Sequence, residues 1–250
     1  TDVDRSLSQA EDLLFKIRTG QETRDFVAIR DVLDQYLEES ARIDSSVDVG
    51  AMPVYTSFVD LDQILGGFQR SDLVILASGP SIGKSTLALN IARNASGQGI
   101  GVGVFSLEMS REQIGHRFLS SEADVNLRLV RQRLYGDLVE GRIINAAGTL
   151  SELPIYIDDT PLQGIMDIRN RCRRMHMERK LDFIIIDYLQ LIQGTGRREN
   201  RVQEVSEITR SLKGLARDLN LPVLALSQLS RAVDVRPSHR PRFRHGQRLE

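Results

Sequence analysis

The side chains best suited to chemistry in this chain lie in the run Ser78-Gly79-Pro80-Ser81-Ile82-Gly83-Lys84-Ser85, with Thr86 next along. An apolar run precedes it and a helical pattern follows. Main-chain N–H groups of such a loop and of the helix start converge on an anion, aided by the positive helix end. Gly83 carries no side chain to obstruct that approach. Lys84 can place an ammonium beside the β- and γ-phosphates, the Ser85 hydroxyl suits Mg²⁺, and Thr86 is placed to touch the α-phosphate. The common phosphate loop has glycine where this chain has Ser78, so the match is one position short of the full signature.

Three more polar residues end apolar runs. Asp187 closes Phe183-Ile184-Ile185-Ile186, at the carboxyl end of a strand, where ligands bind in open α/β sheets. It can hold Mg²⁺ through water, or simply cap the strand end. Glu108, in Ser106-Leu107-Glu108-Met109, stands at the end of the strand after the loop's helix and can act as general base on an attacking water. Acidic residues at strand ends are common, so its position alone is a weak signal. Gln228, in Leu226-Ser227-Gln228, can report a γ-phosphate by a hydrogen bond. Cys172 is the one cysteine, which excludes an internal disulfide and suits a reducing compartment; it reads as a passive helix thiol.

The elements that must position these groups alternate in period. Strands are expected at 73–78, 101–108, 155–158, 183–191 and 222–228, and helices at 84–95, 111–121, 137–150, 165–179 and 202–220. Apolar runs without alternation predict strands buried on both faces, hence an α/β fold with a mostly parallel sheet. Residues 1–50 predict two amphipathic helices, one with Leu7, Ala10, Leu13, Leu14 and Ile17 on a face, the other with Ile29, Val32, Leu33, Tyr36 and Leu37. Two such helices build no core alone, so the stripes must dock, on the same chain or on a neighbouring subunit. A linker at about 48–53 separates them from a core spanning 51–230. The tail, 231–250, crowds Arg231, Arg236, Arg240, Arg242, Arg244 and Arg248 and is expected to be loosely ordered.

With 250 residues, 41% hydrophobic, the chain can bury one sizeable core and an appendage. A formal net charge of −1 supplies no global pull towards polyanions, so any nucleic-acid contact needs a local patch. No apolar run approaches the ~20 residues of a membrane span, and the N-terminus lacks the pattern of a signal peptide. The chain is expected to be soluble and intracellular.

In this order the elements resemble the C-terminal ATPase domain of bacterial replicative DNA helicases of the DnaB family, from about residue 5 to about residue 240. The resemblance is carried by Leu61-Asp62-Gln63 through Gly66-Gly67-Phe68, the loop from Gly79 to Ser85, Phe105-Ser106-Leu107-Glu108-Met109, Ile186-Asp187-Tyr188-Leu189-Gln190-Leu191 and Leu226-Ser227-Gln228-Leu229-Ser230-Arg231. That family tolerates a small non-glycine residue at the position of Ser78. The resemblance implies a RecA-like P-loop core preceded by a helical linker, working as a hexameric ring that encircles single-stranded DNA, with ATP between subunits. It implies that Lys84, Ser85 and Thr86 bind nucleotide, Glu108 activates water, Asp187 supports Mg²⁺ and Gln228 senses the γ-phosphate, with Arg117 near the nucleotide. Arg117 also reads as a solvated helix arginine. The stretch Ser6–Ile17 is similar to the family's linker helix, which packs on the adjacent subunit. Segment 193–201, with Arg197, Arg198 and Arg201, is similar to a channel loop that meets DNA phosphates; an ordinary surface loop is the alternative. Primase and a helicase loader are implied partners, and the bacterial cytoplasm beside the nucleoid the implied location.

Against the family pattern, the sequence starts almost at the linker helix, without the helical N-terminal domain that precedes it in full-length members. It reads either as a fragment or as a chain that lacks that domain by nature, and primase recruitment is in doubt. Beyond about Pro241 the second channel loop and an arginine reaching the neighbour's ATP have no counterpart. The chain is therefore expected to bind nucleotide, hydrolyse it poorly and unwind no duplex alone. Two other readings stand beside this one. A RecA-like ATPase of recombination or signalling would share the phosphate site without the linker helix, and a non-catalytic ring-binding module would be indifferent to loss of Lys84.

Overall fold

A computed structural model of the chain describes residues 26–43, 52–193, 201–229, 243–244 and 247–249. The chain divides into two units, Thr1–Asp48 and Val49–Glu250. In the first, helix α1 spans Ile29–Ile43, over the second of the two expected stripes, and Ile29, Val32, Leu33 and Leu37 are exposed on it. The stripe from Leu7 to Ile17 lies outside the described residues.

In the second unit, α2 (Val59–Leu65) leads into β1 (Leu73–Ser78), α3 (Lys84–Gly97), β2 (Val102–Ser106), α4 (Arg111–Ala123), α5 (Leu127–Gln132) and α6 (Asp137–Ser151). There follow β3 (Ile155–Asp158), α7 (Ile165–Arg179), β4 (Phe183–Asp187), a 3-10 turn (Leu189–Leu191), α8 (Arg201–Leu219) and β5 (Val223–Gln228). The five strands form one sheet in the order β1-β5-β4-β2-β3, and every pair is parallel. The apolar runs explain the order: β2 and β4 are buried at every position and β5 at all but Gln228, so they take the centre, while β1 and β3 are half-buried at the edges.

Alternate strand residues face opposite sides. Val102, Val104, Phe183, Ile185, Leu224 and Leu226 join Ala88, Leu89, Ile91, Ala92 and Ala95 of α3 in one core. The small alanines let the helix approach the sheet closely. Ile184, Ile186, Val223 and Ala225 are also buried, and α8 packs against β1 and β5. A smaller cluster, Ala123, Val125, Val130, Ile143 and Ala146, ties α4, α5 and α6 together.

Two strands are shorter than their apolar patterns predict. The strand expected over 101–108 stops at Ser106, whose hydroxyl donates to the Met109 carbonyl (2.7 Å) and accepts the Met109 N–H (3.2 Å), turning the chain. The run expected over 183–191 stops at Asp187 because the chain enters the 3-10 turn. Two short helices, α2 and α5, escaped sequence reasoning. The Asp62 carboxylate organises the first, accepting the N–H groups of Thr56 and Ser57 at 2.9 Å each, and Gly66 ends it with φ of 67°. Within the tail expected to be loosely ordered, Phe243–Arg244 and Gln247–Leu249 pair as antiparallel strands β6 and β7.

Candidate active site

The parallel registers bring four strand ends to one rim. Ser78 at the end of β1 stands opposite Gln228 at the end of β5, and Ser106 at the end of β2 stands opposite Asp187 at the end of β4. The Leu107 N–H donates to the Asp187 carbonyl (2.8 Å), which carries Glu108 past the strand end beside β4. The Leu229 N–H donates to the Ser78 carbonyl (2.9 Å) and fastens β5 to the start of the loop. Residues far apart in sequence thus meet on one edge because parallel strands end on the same side.

The loop from Gly79 to Gly83 turns out of β1 into α3. Ser81 (φ 61°) and Gly83 (φ 104°) both take left-handed conformations, and Gly83 is the N-cap of α3. A Cβ on Gly83 would meet nothing within 4 Å, so its glycine answers to the backbone angle and leaves open space where an anion would sit. The Ile82 side chain is exposed at the loop tip.

Lys84, half-buried at the first turn of α3, places its ammonium 4.6 Å from the centroid of the Tyr188 ring. Burial pushes its pKa below the ordinary lysine value, against the opposing pull of the Asp187 and Glu108 carboxylates. Asp187 is 5% exposed, and its Oδ1 has no hydrogen-bond partner among the described residues. Glu108 is exposed at the rim. The Arg117 guanidinium donates to the Thr86 hydroxyl at 3.2 Å, and its Nε is buried without a partner among the described residues. Arg117 therefore reaches the phosphate loop's helix and is no freely solvated side chain.

The structure thus brings Ser78, the loop, Lys84, Ser85, Thr86, Glu108, Arg117, Asp187 and Gln228 to one end of the sheet. Arg197 and Arg198 lie outside the described residues, and Arg201 is the first residue of α8. Two residues that sequence reasoning quoted only inside a motif acquire contacts here: Tyr188 under the Lys84 ammonium, and Gln190, whose amide meets Ser227 and Gln228. Their position directly after Asp187 is the one signal that could have marked them.

The hard oxygen donors fit a magnesium ion. Mg²⁺ is commonly held by one or two carboxylates together with substrate phosphates and water. Asp187 Oδ1, a buried carboxylate oxygen without a partner among the described residues, ends β4 on the same rim where Ser85 stands in the first turn of α3. Among the described residues no group of three His, Cys, Asp or Glu side chains forms a preassembled metal cage.

A parallel β1-β5-β4-β2-β3 sheet, with a tight loop between β1 and α3, Asp187 at the end of β4 and Glu108 just beyond β2, is the RecA-like ATPase fold. Residues 53–245 match the family described as DnaB-like helicase C terminal domain, and the chain belongs to that family. It is 45% identical over 246 residues to the replicative DNA helicase DnaC of Bacillus subtilis (strain 168), an alignment covering 96% of this chain and 53% of that protein. It is likewise 45% identical to the replicative DNA helicase DnaB of Geobacillus stearothermophilus, again over 96% of this chain and 53% of the relative. The chain spans about half the length of these relatives. Among solved structures it resembles one described as an ATPase domain (TM-score 0.77, 32% identity, 87% of this chain and 76% of that one). It also resembles a DnaB-like replicative helicase described with its interactions with primase (TM-score 0.75, 30% identity, 94% and 56%).

Proposed function

We propose that this chain is the ATP-hydrolysing motor portion of a replicative DNA helicase, which couples ATP turnover to movement along single-stranded DNA and to duplex unwinding. The observation that carries the reading is the convergence of the Lys84 loop, Glu108, Asp187 and Gln228 on one rim of the parallel sheet. The family and the 45% identity to named replicative helicases support the biological setting.

In this reading main-chain N–H groups from Gly79 to Lys84 cradle the phosphates, with Ser78 and Pro80, Ser81 and Ile82 shaping the turn. Lys84 leaves the Tyr188 ring for the β- and γ-phosphates, a shift favoured because a half-buried ammonium gains more from two phosphates than from an aromatic face. Thr86, held by Arg117, borders the α-phosphate. Ser85 and Asp187 would hold Mg²⁺, which would neutralise charge on the phosphates. Glu108 takes the proton of the attacking water, its exposed carboxylate open to that water. Gln228 hydrogen-bonds the γ-phosphate and so separates triphosphate from diphosphate.

The segment with Arg197, Arg198 and Arg201 would meet the phosphates of single-stranded DNA, a contact indifferent to base sequence as a motor requires. A hexameric ring of like subunits, primase and a helicase loader are the partners this reading implies, in the bacterial cytoplasm beside the nucleoid. Among the described residues no helix is long and apolar enough to cross a membrane. Calorimetric titration with ATP and Mg²⁺ tests the site. Lys84→Ala is expected to weaken binding at least tenfold, the scale of one charge-assisted contact. An unchanged affinity would transfer the case to the non-catalytic ring-binding module.

A further inference from the structure

We propose that Gln190 positions Gln228: its amide clasps the end of β5 so that the Gln228 side chain is presented to a γ-phosphate. The proposal rests on the reading of Gln228 as the γ-phosphate reporter.

The ladder between β4 and β5 runs from Ile184 opposite Val223 to Ile186 opposite Ala225 and ends there, since the chain leaves β4 at Asp187. On the other side β1 stays in register with β5 as far as Ser78 opposite Gln228. The last residues of β5 would therefore be held from one side only. Gln190, in the 3-10 turn after Asp187, supplies the other side. Its amide nitrogen donates to the Gln228 carbonyl (3.1 Å) and to the Ser227 hydroxyl (3.0 Å), and its amide oxygen accepts the Gln228 N–H (3.4 Å).

A primary amide carries the same donor and acceptor as a peptide group. Gln190 thus continues the sheet ladder with a side chain where the main chain has turned away. The result fixes the Gln228 backbone between β1 and Gln190 while the Gln228 side chain stays exposed at the strand end. Fixing the carrier and freeing the head is what a group that must read a ligand's position requires. The same arrangement links the turn that follows Asp187 directly to the reporter, two parts of the site that sequence separates by 38 positions.

The test uses the full chain and two probes, ADP and a non-hydrolysable ATP analogue, each with Mg²⁺, titrated by calorimetry into wild type, Gln190→Leu, Gln190→Glu, Gln228→Ala and the double variant Gln190→Leu/Gln228→Ala. A hydrogen bond to a charged phosphate corresponds to about a tenfold difference in affinity. Gln228→Ala is expected to lower the triphosphate-to-diphosphate preference about tenfold, and Gln190→Leu to do the same with ADP affinity unchanged. In the double variant the losses are expected not to add, the signature of one residue acting through the other. Gln190→Glu is nearly isosteric, keeps the acceptor and loses both donations. Its added carboxylate also repels phosphate, so it is expected to lower the triphosphate preference at least as far as Gln190→Leu, and an unchanged preference in it overturns the proposal even if the leucine variant fails to fold.

An unchanged preference in a folded Gln190 variant overturns the proposal. So does an equal loss of both nucleotides, which marks a merely structural residue, or full additivity in the double variant. If Gln228→Ala itself leaves the preference unchanged, the reading of Gln228 falls and the positioning role falls with it. A silent Gln190 beside an effective Gln228 removes the positioning role alone.

Discussion

Asp187→Asn separates a metal-bearing carboxylate from a carboxylate that merely caps a strand. Asp187 is 5% exposed, yet its Oδ1 has no partner among the described residues. A buried acceptor left unpaired costs about 1–3 kcal/mol, and more when charged. Against this stands Coulombic attraction to Lys84, which raises the lysine's proton affinity and is weakened by solvent screening because Lys84 is only half-buried. The asparagine is nearly isosteric and keeps the main-chain contacts, including the Leu107 N–H to the residue's carbonyl at 2.8 Å. The two electrostatic terms oppose each other and the asparagine keeps the shape, so stability without nucleotide is expected to stay within about 1 kcal/mol of wild type. That is a change of about 2–4 °C in Tm for a unit of this size. The loss should fall on the metal: the gain in nucleotide affinity that Mg²⁺ confers is expected to drop about 10–100-fold, while affinity measured in EDTA stays the same. Thermal unfolding and calorimetry, each with and without Mg²⁺, read both quantities. A destabilisation beyond about 2 kcal/mol without nucleotide, or an undiminished Mg²⁺ effect, would refute the reasoning and return Asp187 to the role of strand-end cap.

Gly101→Ala places a Cβ against the Lys180 carbonyl oxygen, a backbone atom that cannot step aside, so a loss of about 1–3 kcal/mol is expected in chemical denaturation. Burial, reinforced by the charge of Asp158, pushes the Cys172 thiol up, so maleimide labelling followed by mass spectrometry is expected to be negligible in the native protein and complete in denaturant. The Arg93 guanidinium holds the Glu122 carboxyl below its ordinary value near 4.5, through bonds of 2.7 and 2.8 Å that join α3 to α4. The folded state therefore binds that proton less readily than the unfolded chain, and the pair's stabilisation is complete above the ordinary value and lost as pH falls through the folded one. Because Arg93 is partly exposed, Glu122→Gln is expected to cost only about 1 kcal/mol at about pH 7, with wild type and variant converging in Tm as the pH falls below the ordinary carboxyl value. A gap that persists at that acid end would show that the effect is not the charge.

The fold class and the residues that gather at the candidate site were legible in one dimension because their signals are local. Phe183-Ile184-Ile185-Ile186 has no polar residue to show water, so the run reads as a strand buried on both faces. The loop from Gly79 to Gly83 is a contiguous turn, so its shape is a local property of the chain. Asp187, Glu108 and Gln228 could be picked out because each ends an apolar run. What the chain could not disclose is how those ends meet. That depends on the strand order β1-β5-β4-β2-β3 and on registers set by packing across the sheet. Strand ends were misjudged at Ser106 and Asp187 for the same reason: hydrophobicity continues past both, and hydrogen bonds with later residues turn the chain. Tyr188 beneath Lys84 and Gln190 against Gln228 belong wholly to the tertiary structure, since a cation on an aromatic face and an amide completing a ladder are contacts between partners distant along the chain. Sequence pattern reports which residues avoid water, but only the assembled sheet decides which polar ends become neighbours.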